Sequence, residues 1–301
     1  MANSGLASKL SNGAFVVTAE LLPKASASAG PVQEAAQALG KTVAAVNVSD
    51  NPFGTVTSSL AACAVLKEAG IEPIYQLVSR DRNRIAIQSD VLGAATLGIQ
   101  NMLCLTGYHQ SLMGYPESAN VYDIDSVQMI AAVQGMNAQQ TLMNGEALEG
   151  DFGMTIGAVV NPYMRPLPLN IMKLAKKVQA GATFIQTQAI FDLGPFTEWL
   201  EAAKNESITD KAAILAGVMP LESAEEAEQL RERFTDFAIP DSIIERMKGA
   251  GDAAAQKAEG IAICVEVIGQ LKGTEGIKGI HILSGGREAV VPELMTAAGL
   301  S

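Results

Sequence analysis

Eight short runs rich in apolar and β-branched residues recur along the chain, each followed by a stretch with helical spacing. They fall at 15–21, 43–49 ("VAAVNVS"), 73–79 ("PIYQLVS"), 101–106 ("NMLCLT"), 153–160 ("GMTIGAVV"), 183–190 ("TFIQTQAI"), 213–219 ("AILAGVM") and 279–284 ("GIHILS"). Strands that alternate with helices pair in parallel through helical crossovers. "KEAGIEPI", "ATLGIQNM" and "KVQAGATF" each close a helical stretch just before a strand, and Gly70, Gly98 and Gly181 are placed to supply a left-handed cap. Eight such units in 301 residues predict one α/β domain over 1–301, a closed (β/α)8 (TIM) barrel with a closing C-terminal helix in "GGREAVVPELMTAAGL". An open doubly wound sheet is the rival architecture. Two stretches depart from the rhythm: a long irregular segment at 107–122 and a second at 135–151, whose "GEALEG" reads as a solvated turn.

Hydrophobic residues make up 48% of the chain, ample for a large core, and the formal net charge of −11 comes without any Lys/Arg run to offset it. Nucleic acid is therefore not an expected partner. No apolar run is long enough to span a bilayer, so no membrane association is expected, and "MANSGLASKLSNG" lacks the pattern of a secretory signal. Cys63, Cys104 and Cys264 are odd in number and far apart, which suits reduced thiols in a cytoplasmic protein rather than a disulfide framework or a metal motif. With only His109 and His281 present, a histidine-based metal site is not expected.

Barrel enzymes carry their chemistry at the C-terminal ends of the strands. Here those ends present Glu20; Asn47, Ser49 and Asp50; Gln76 followed by "SRDRNR"; "LTGYH"; "VVNP"; "QTQAIFD"; "GVMP"; and "HILSGG". Glu20 stands out, because a carboxylate within the apolar run "FVVTAELLP" is costly to bury without a partner or a proton. It reads as an active-site acid, the alternative being a helix cap or a partner for one of the three arginines of "SRDRNR". Asp50 reads equally as a ligand group or a turn residue, and Asp81 as a partner of a flanking arginine that starts the next helix. Gln186 and Gln188 share one strand face, which inside a barrel points to a polar ligand. His281 reads first as a satisfied core histidine.

Taken together, these segments resemble the methylenetetrahydrofolate reductase family over roughly 12–299. The resemblance is carried, in order, by "TAELLP", "VNVSDNP", "LVSRDRN", "LTG" with the later "VYDIDS", the long "KKVQAGATFIQTQAIFD" and "GIHILS". It implies a flavoprotein that passes a hydride from FAD to the methylene carbon of 5,10-methylenetetrahydrofolate, giving 5-methyltetrahydrofolate. By the same resemblance Glu20 is the general acid and Gln188 orients the pterin; Gln186 and Asp50, read from their strand ends, are placed with them on the substrate side. Ser49, Gln76, Gly107, Tyr108, Tyr122 and Lys177 fall at flavin-side positions, with the Lys177 ammonium placed to meet a phosphate. Three positions depart from the family's pattern: Tyr108 stands where an aspartate is common, Gln76 where a histidine is frequent, and Val78 where a threonine follows it. A flavin-free, tetrahydrofolate-dependent methyltransferase and a folate-binding subunit of a one-carbon complex are the alternatives. A tetrahydrofolate derivative, a separate redox or one-carbon partner subunit and a homo- or hetero-oligomer are the expected associations.

Overall fold

Strands buried on both faces read as nearly unbroken apolar runs, and that pattern locates them here within a residue or two. The structure is a computed structural model that describes residues 4–234 and 237–300; Met1–Asn3 and Ser301 of the expected 1–301 domain lie outside the described residues. The strands are β1 (Val16–Leu21), β2 (Ala45–Val48), β3 (Pro73–Val78), β4 (Asn101–Leu105), β5 (Thr155–Val160), β6 (Phe184–Ala189), β7 (Ala213–Val218) and β8 (Ile277–Ile282). Each pairs in parallel with the next, and β1 pairs with β8 from Val16 opposite Gly279 to Ala19 opposite Ile282, so the sheet closes. An open sheet is thereby ruled out, and the expected (β/α)8 barrel is the fold.

Six crossovers carry one helix each: α2 (Gly30–Leu39), α3 (Ser59–Glu68), α4 (Arg84–Thr96), α5 (Ser126–Gln139), α6 (Leu167–Ala180) and α7 (Leu193–Asn205). Gly70 and Gly98, just past α3 and α4, take the left-handed backbone expected of them, at φ 77 and 70. The last crossover differs, holding α8 (Ala224–Arg233), α9 (Asp241–Gly249) and α10 (Ala253–Leu271). These pack through a separate apolar cluster that includes Phe191, Met219, Leu221, Ala227, Ile244, Met247 and Ile263. The closing helix is α11 (Val290–Ala297). No helix among the described residues is long and apolar enough to cross a membrane.

The second irregular stretch begins later than expected, because α5 continues to Gln139; its capping box, Asp125 with Gln128, fixes only the start of that helix. The turn that follows is closed by an antiparallel bridge between Thr141 and Ala147. The strand expected at 279–284 spans Ile277–Ile282.

A short helix, α1 (Gly5–Ser11), covers the N-terminal end of the barrel. Ser4 caps it by accepting from the Ala7 N–H at 2.9 Å, and its hydroxyl also meets Thr155 Oγ1 at 3.1 Å. Leu6 is fully buried with Val16, Ala45, Ile74, Leu103, Phe184 and Leu215. These side chains fill the lower barrel, so it is a packed core and not a pore. Phe184 fits only because its neighbour on β5 is Gly157: a Cβ there would run into the Phe184 ring. Gly157→Ala should therefore destabilise the fold by about 1–3 kcal/mol, read as a lower urea midpoint with an unchanged slope.

Candidate active site

Inward-facing residues recur every second position along a strand, so the barrel interior can be followed upward in steps of two. Above Val16 and Phe184 come Thr18 and Gln186, and above those Glu20 and Gln188. The middle level is polar and satisfied from within. Asn47 Nδ2 donates to Gln186 Oε1 at 2.6 Å, while Gln186 Nε2 donates to Asn47 Oδ1 at 3.0 Å and to Thr18 Oγ1 at 3.1 Å. His281 Nδ1 lies 3.0 Å from Thr18 Oγ1 and 3.4 Å from Gln186 Nε2. Burial pushes the His281 pKa down to about 3, so the ring is neutral. The expected satisfied core histidine is what the structure contains. Gln186 bonds partners on β1 and β2 and also lines the lobe above.

The upper level opens into two adjoining lobes. One, of about 250 Å³, is lined by Glu20, Ser49 and Gln188 with Phe53, Leu230 and Phe237 among its apolar walls. The other, of about 260 Å³, is lined by Val78, Arg80, Gly107, Ser126 and Lys177. Pro52, Gln76, Leu105, Tyr108, Val159 and Gln188 face both. Apolar walls with a few convergent polar groups are the usual make-up of a small-molecule site.

Glu20 sits on the rim of the first lobe. Ser49 Oγ donates to its Oε1 at 2.9 Å, and Gly285 also lines the lobe. Burial raises its pKa, the Ser49 and Gly285 bonds oppose that, and the nearby Glu288 carboxylate adds to it. Glu20 caps no helix and pairs with no arginine. The arginines of "SRDRNR" go elsewhere: Arg80 to Asp81 at 2.7 Å, Arg82 to Asp50 at 2.7 Å and to Asp90 at 2.8 Å, and Arg84 to Asp123 at 2.8 Å. Asp81 does pair with its neighbour, but the residue that caps α4 is Asn83, through Ile85 N and Ala86 N.

The remaining expected site residues divide. Asp50 lines the second lobe, yet its carboxylate accepts from the Val78 N–H at 2.9 Å as well as from Arg82. Ser49 belongs with the acid. Gly107 makes the turn after β4 at φ 90. Tyr122 is exposed, and its hydroxyl donates to the Tyr108 carbonyl at 3.5 Å. Lys177 Nζ donates to the Val159 carbonyl at 2.6 Å, and burial lowers its pKa. The Tyr108 ring lies over the mouth, 6.5 Å from Phe53 and 5.4 Å from Phe234, and Arg233 sits 5.4 Å from the Phe53 ring centroid and 5.0 Å from that of Phe234. This clasp joins the β2 and β4 loops to the end of α8. Sequence reasoning missed it, along with Thr18, Gly285 and Glu288, because each owes its place to pairing between distant strand ends.

A family model described as methylenetetrahydrofolate reductase matches residues 6–299. A probable methylenetetrahydrofolate reductase (NADPH) of Caenorhabditis elegans is 23% identical over 248 residues, 82% of this chain and 35% of that protein. This chain thus spans about a third of that relative's length. The 5,10-methylenetetrahydrofolate reductase of Salmonella typhimurium is 22% identical over 220 residues, 72% of this chain and 67% of that one. Among solved structures, an uncharacterized protein from Clostridium thermocellum that binds two copies of 5-methyl-5,6,7,8-tetrahydrofolic acid superposes with a TM-score of 0.64, covers 98% of both chains and is 13% identical. At that identity the likeness concerns the fold.

The neutral middle level has a pH signature. Unfolded, His281 takes up a proton near its ordinary value of 6.5; folded, it does so only near 3. The unfolded state therefore binds more protons across that window, and stability falls as pH drops through it. In urea titrations from pH 7 to pH 4, His281→Gln should lose less stability than the parent protein.

Proposed function

The chain belongs to the methylenetetrahydrofolate reductase family, and from that premise we propose that it reduces a 5,10-methylene folate to the 5-methyl level with Glu20 as the general acid. The carrying observation is the Glu20 carboxyl: it stands on the barrel rim, faces a lobe of about 250 Å³ and has its pKa raised by burial. A carboxyl whose pKa is raised by burial is suited to donate to a weakly basic nitrogen. Protonating the bridge nitrogen of the folate opens the five-membered ring to an electrophilic iminium at the methylene carbon, which accepts hydride. Ser49 holds one oxygen of the carboxyl, Oε1, by a hydrogen bond of 2.9 Å. Gln188, between the two lobes, is placed to orient the pterin by its amide.

The second lobe suits a flat ring system, with Leu105, Val78 and Val159 as walls and Gln76, Gly107 and Tyr108 at its edges. Those residues would hold the flavin ring, and FAD bound there would supply the hydride. Its diphosphate arm is less well provided for. Arg80 spends its guanidinium on Asp81, the Asn51 and Tyr108 carbonyls and Met113 Sδ, and Lys177 is anchored to Val159. That observation, together with Tyr108 in the aromatic clasp, favours a second reading: a flavin-free protein that keeps the folate lobe and transfers or holds a one-carbon unit. The visible spectrum after reconstitution with FAD separates the two, since only a flavoprotein retains a bound blue-absorbing chromophore.

Glu20→Gln should cut methylene-folate reduction roughly a hundred- to ten-thousand-fold while folate affinity, followed by fluorescence titration, stays near the parent value. Near-normal turnover would remove the acid's assignment. Gln188→Ala should weaken folate binding by roughly tenfold, about 1.4 kcal/mol, with little change in the urea midpoint. An unchanged folate affinity would make Gln188 structural.

A further inference from the structure

The outside of the barrel carries an apolar face that neither lobe uses. Between α6 and α7 runs an open groove of about 640 Å³, and Leu167, Pro168, Met172, Ala175 and Ala202 supply its apolar lining. Met172 is exposed, as are Leu169, one turn before it on α6, and Met164 in the loop that leads into the helix. Large apolar side chains gathered on a surface mark an interaction site, whereas scattered ones do not.

The two walls of the groove are opposite in charge. α6 carries Lys173, Lys176 and the inward-turned Lys177 with no acid, while α7 carries Glu198 and Glu201, with Glu206 at its C-terminal cap, against one base, Lys204. Glu198 is held by Arg165 at 2.7 Å and Glu201 by Lys204 at 2.9 Å. The exposed side chains of Lys173, Lys176 and Glu206 make no ion pair among the described residues. Lys176 and Glu206 both line the groove, one from each wall. At a net charge of −11 two copies of this chain repel in general, and the α6 wall is a place where that repulsion reverses.

We propose that the α6–α7 face is a homodimer interface, with a second copy of the chain as its occupant. A two-fold dimer joins the same patch on both copies, so the patch must complement itself under the rotation. An axis along the groove meets that condition, because it keeps each height along the helices and exchanges the walls. α6 of each copy then lies on α7 of the other, Lys176 meets Glu206 twice, and the Met172 side chains close over the apolar lining. An axis across the groove would set α6 on α6 and lysine against lysine, which is repulsive. Each helix is about 20 Å long and 10 Å wide, so the face measures about 400 Å² in projection, and side-chain relief raises the buried surface toward the roughly 800 Å² per partner of a standard interface. The contact is at the small end of stable interfaces, and the dimer should form reversibly with concentration.

Sedimentation velocity over a range of micromolar concentrations tests this on the full chain. The parent should pass from monomer to dimer as concentration rises, and Met172→Glu should stay monomeric throughout. Lys176→Glu and Glu206→Lys should each weaken association roughly tenfold or more, since each sets like charges together at both ends of the two-fold. The double variant Lys176→Glu with Glu206→Lys should regain the parent's dimerisation, because the pair is restored with its signs exchanged. All these side chains are exposed, so urea midpoints near the parent value verify that the fold is kept; should Met172→Glu fail that check, the charge exchange still decides. A parent that is monomeric at every concentration would overturn the proposal and leave the face to a different protein. A dimer that survives Met172→Glu would place the interface elsewhere, and a double variant no better than the singles would overturn the two-fold alignment.

Discussion

Closure of the sheet is the constraint on which everything else depends. Pairing β1 with β8 leaves no strand edge, and it forces every inward side chain to face other strands instead of water. An inward polar group must then be paired across the barrel or turned toward the open end. Both outcomes occur here: Thr18, Asn47, Gln186 and His281 bond one another, with Gln186 and His281 at the base of the first lobe, and one level higher Glu20, Gln76 and Gln188 face the lobes. The raised pKa of the acid follows from that placement, since Glu20 stands between the sealed interior and the mouth.

The strands were legible because burial on both faces leaves continuous apolar runs, and glycine stops at Gly70, Gly98 and Gly181 mark where three of the helices end. What needed three dimensions was who meets whom. Gln186 and Gln188 share a face, as period two requires, but spacing along one strand does not say that Asn47 of β2 lies opposite Gln186. Ser49 carries an ordinary hydroxyl, and only the register of β2 beside β1 directs it to Glu20. The extra helices of the last crossover were equally silent, because α8 and α9 bury against a local apolar cluster instead of the sheet and so break no pattern.

The mouth itself is assembled from loops that are far apart in the chain. Arg80 ties the β2 and β4 loops together through the Asn51 and Tyr108 carbonyls, and the Phe53–Tyr108–Phe234 stack brings in the end of α8. Charge here fixes backbone at the edge of the second lobe. The Tyr108 ring is thus part of the packing of the mouth, where it contributes aromatic contact.

The amide pair of Asn47 and Gln186 carries a consequence of its own. Each donates to the other's oxygen, in the manner of two bases in a duplex, so neither can rotate by half a turn unless both do. Their hydrogen-bonding capacity toward each other is closed, and the barrel acquires a floor. A ligand descending the axis meets that floor one rung beneath the acid, where the Gln186 side chain and the His281 ring are part of the lobe's lining. What Gln186 can present there is fixed in advance by its lock with Asn47, so the depth of the site and the orientation of its floor are set by the same pair of amides.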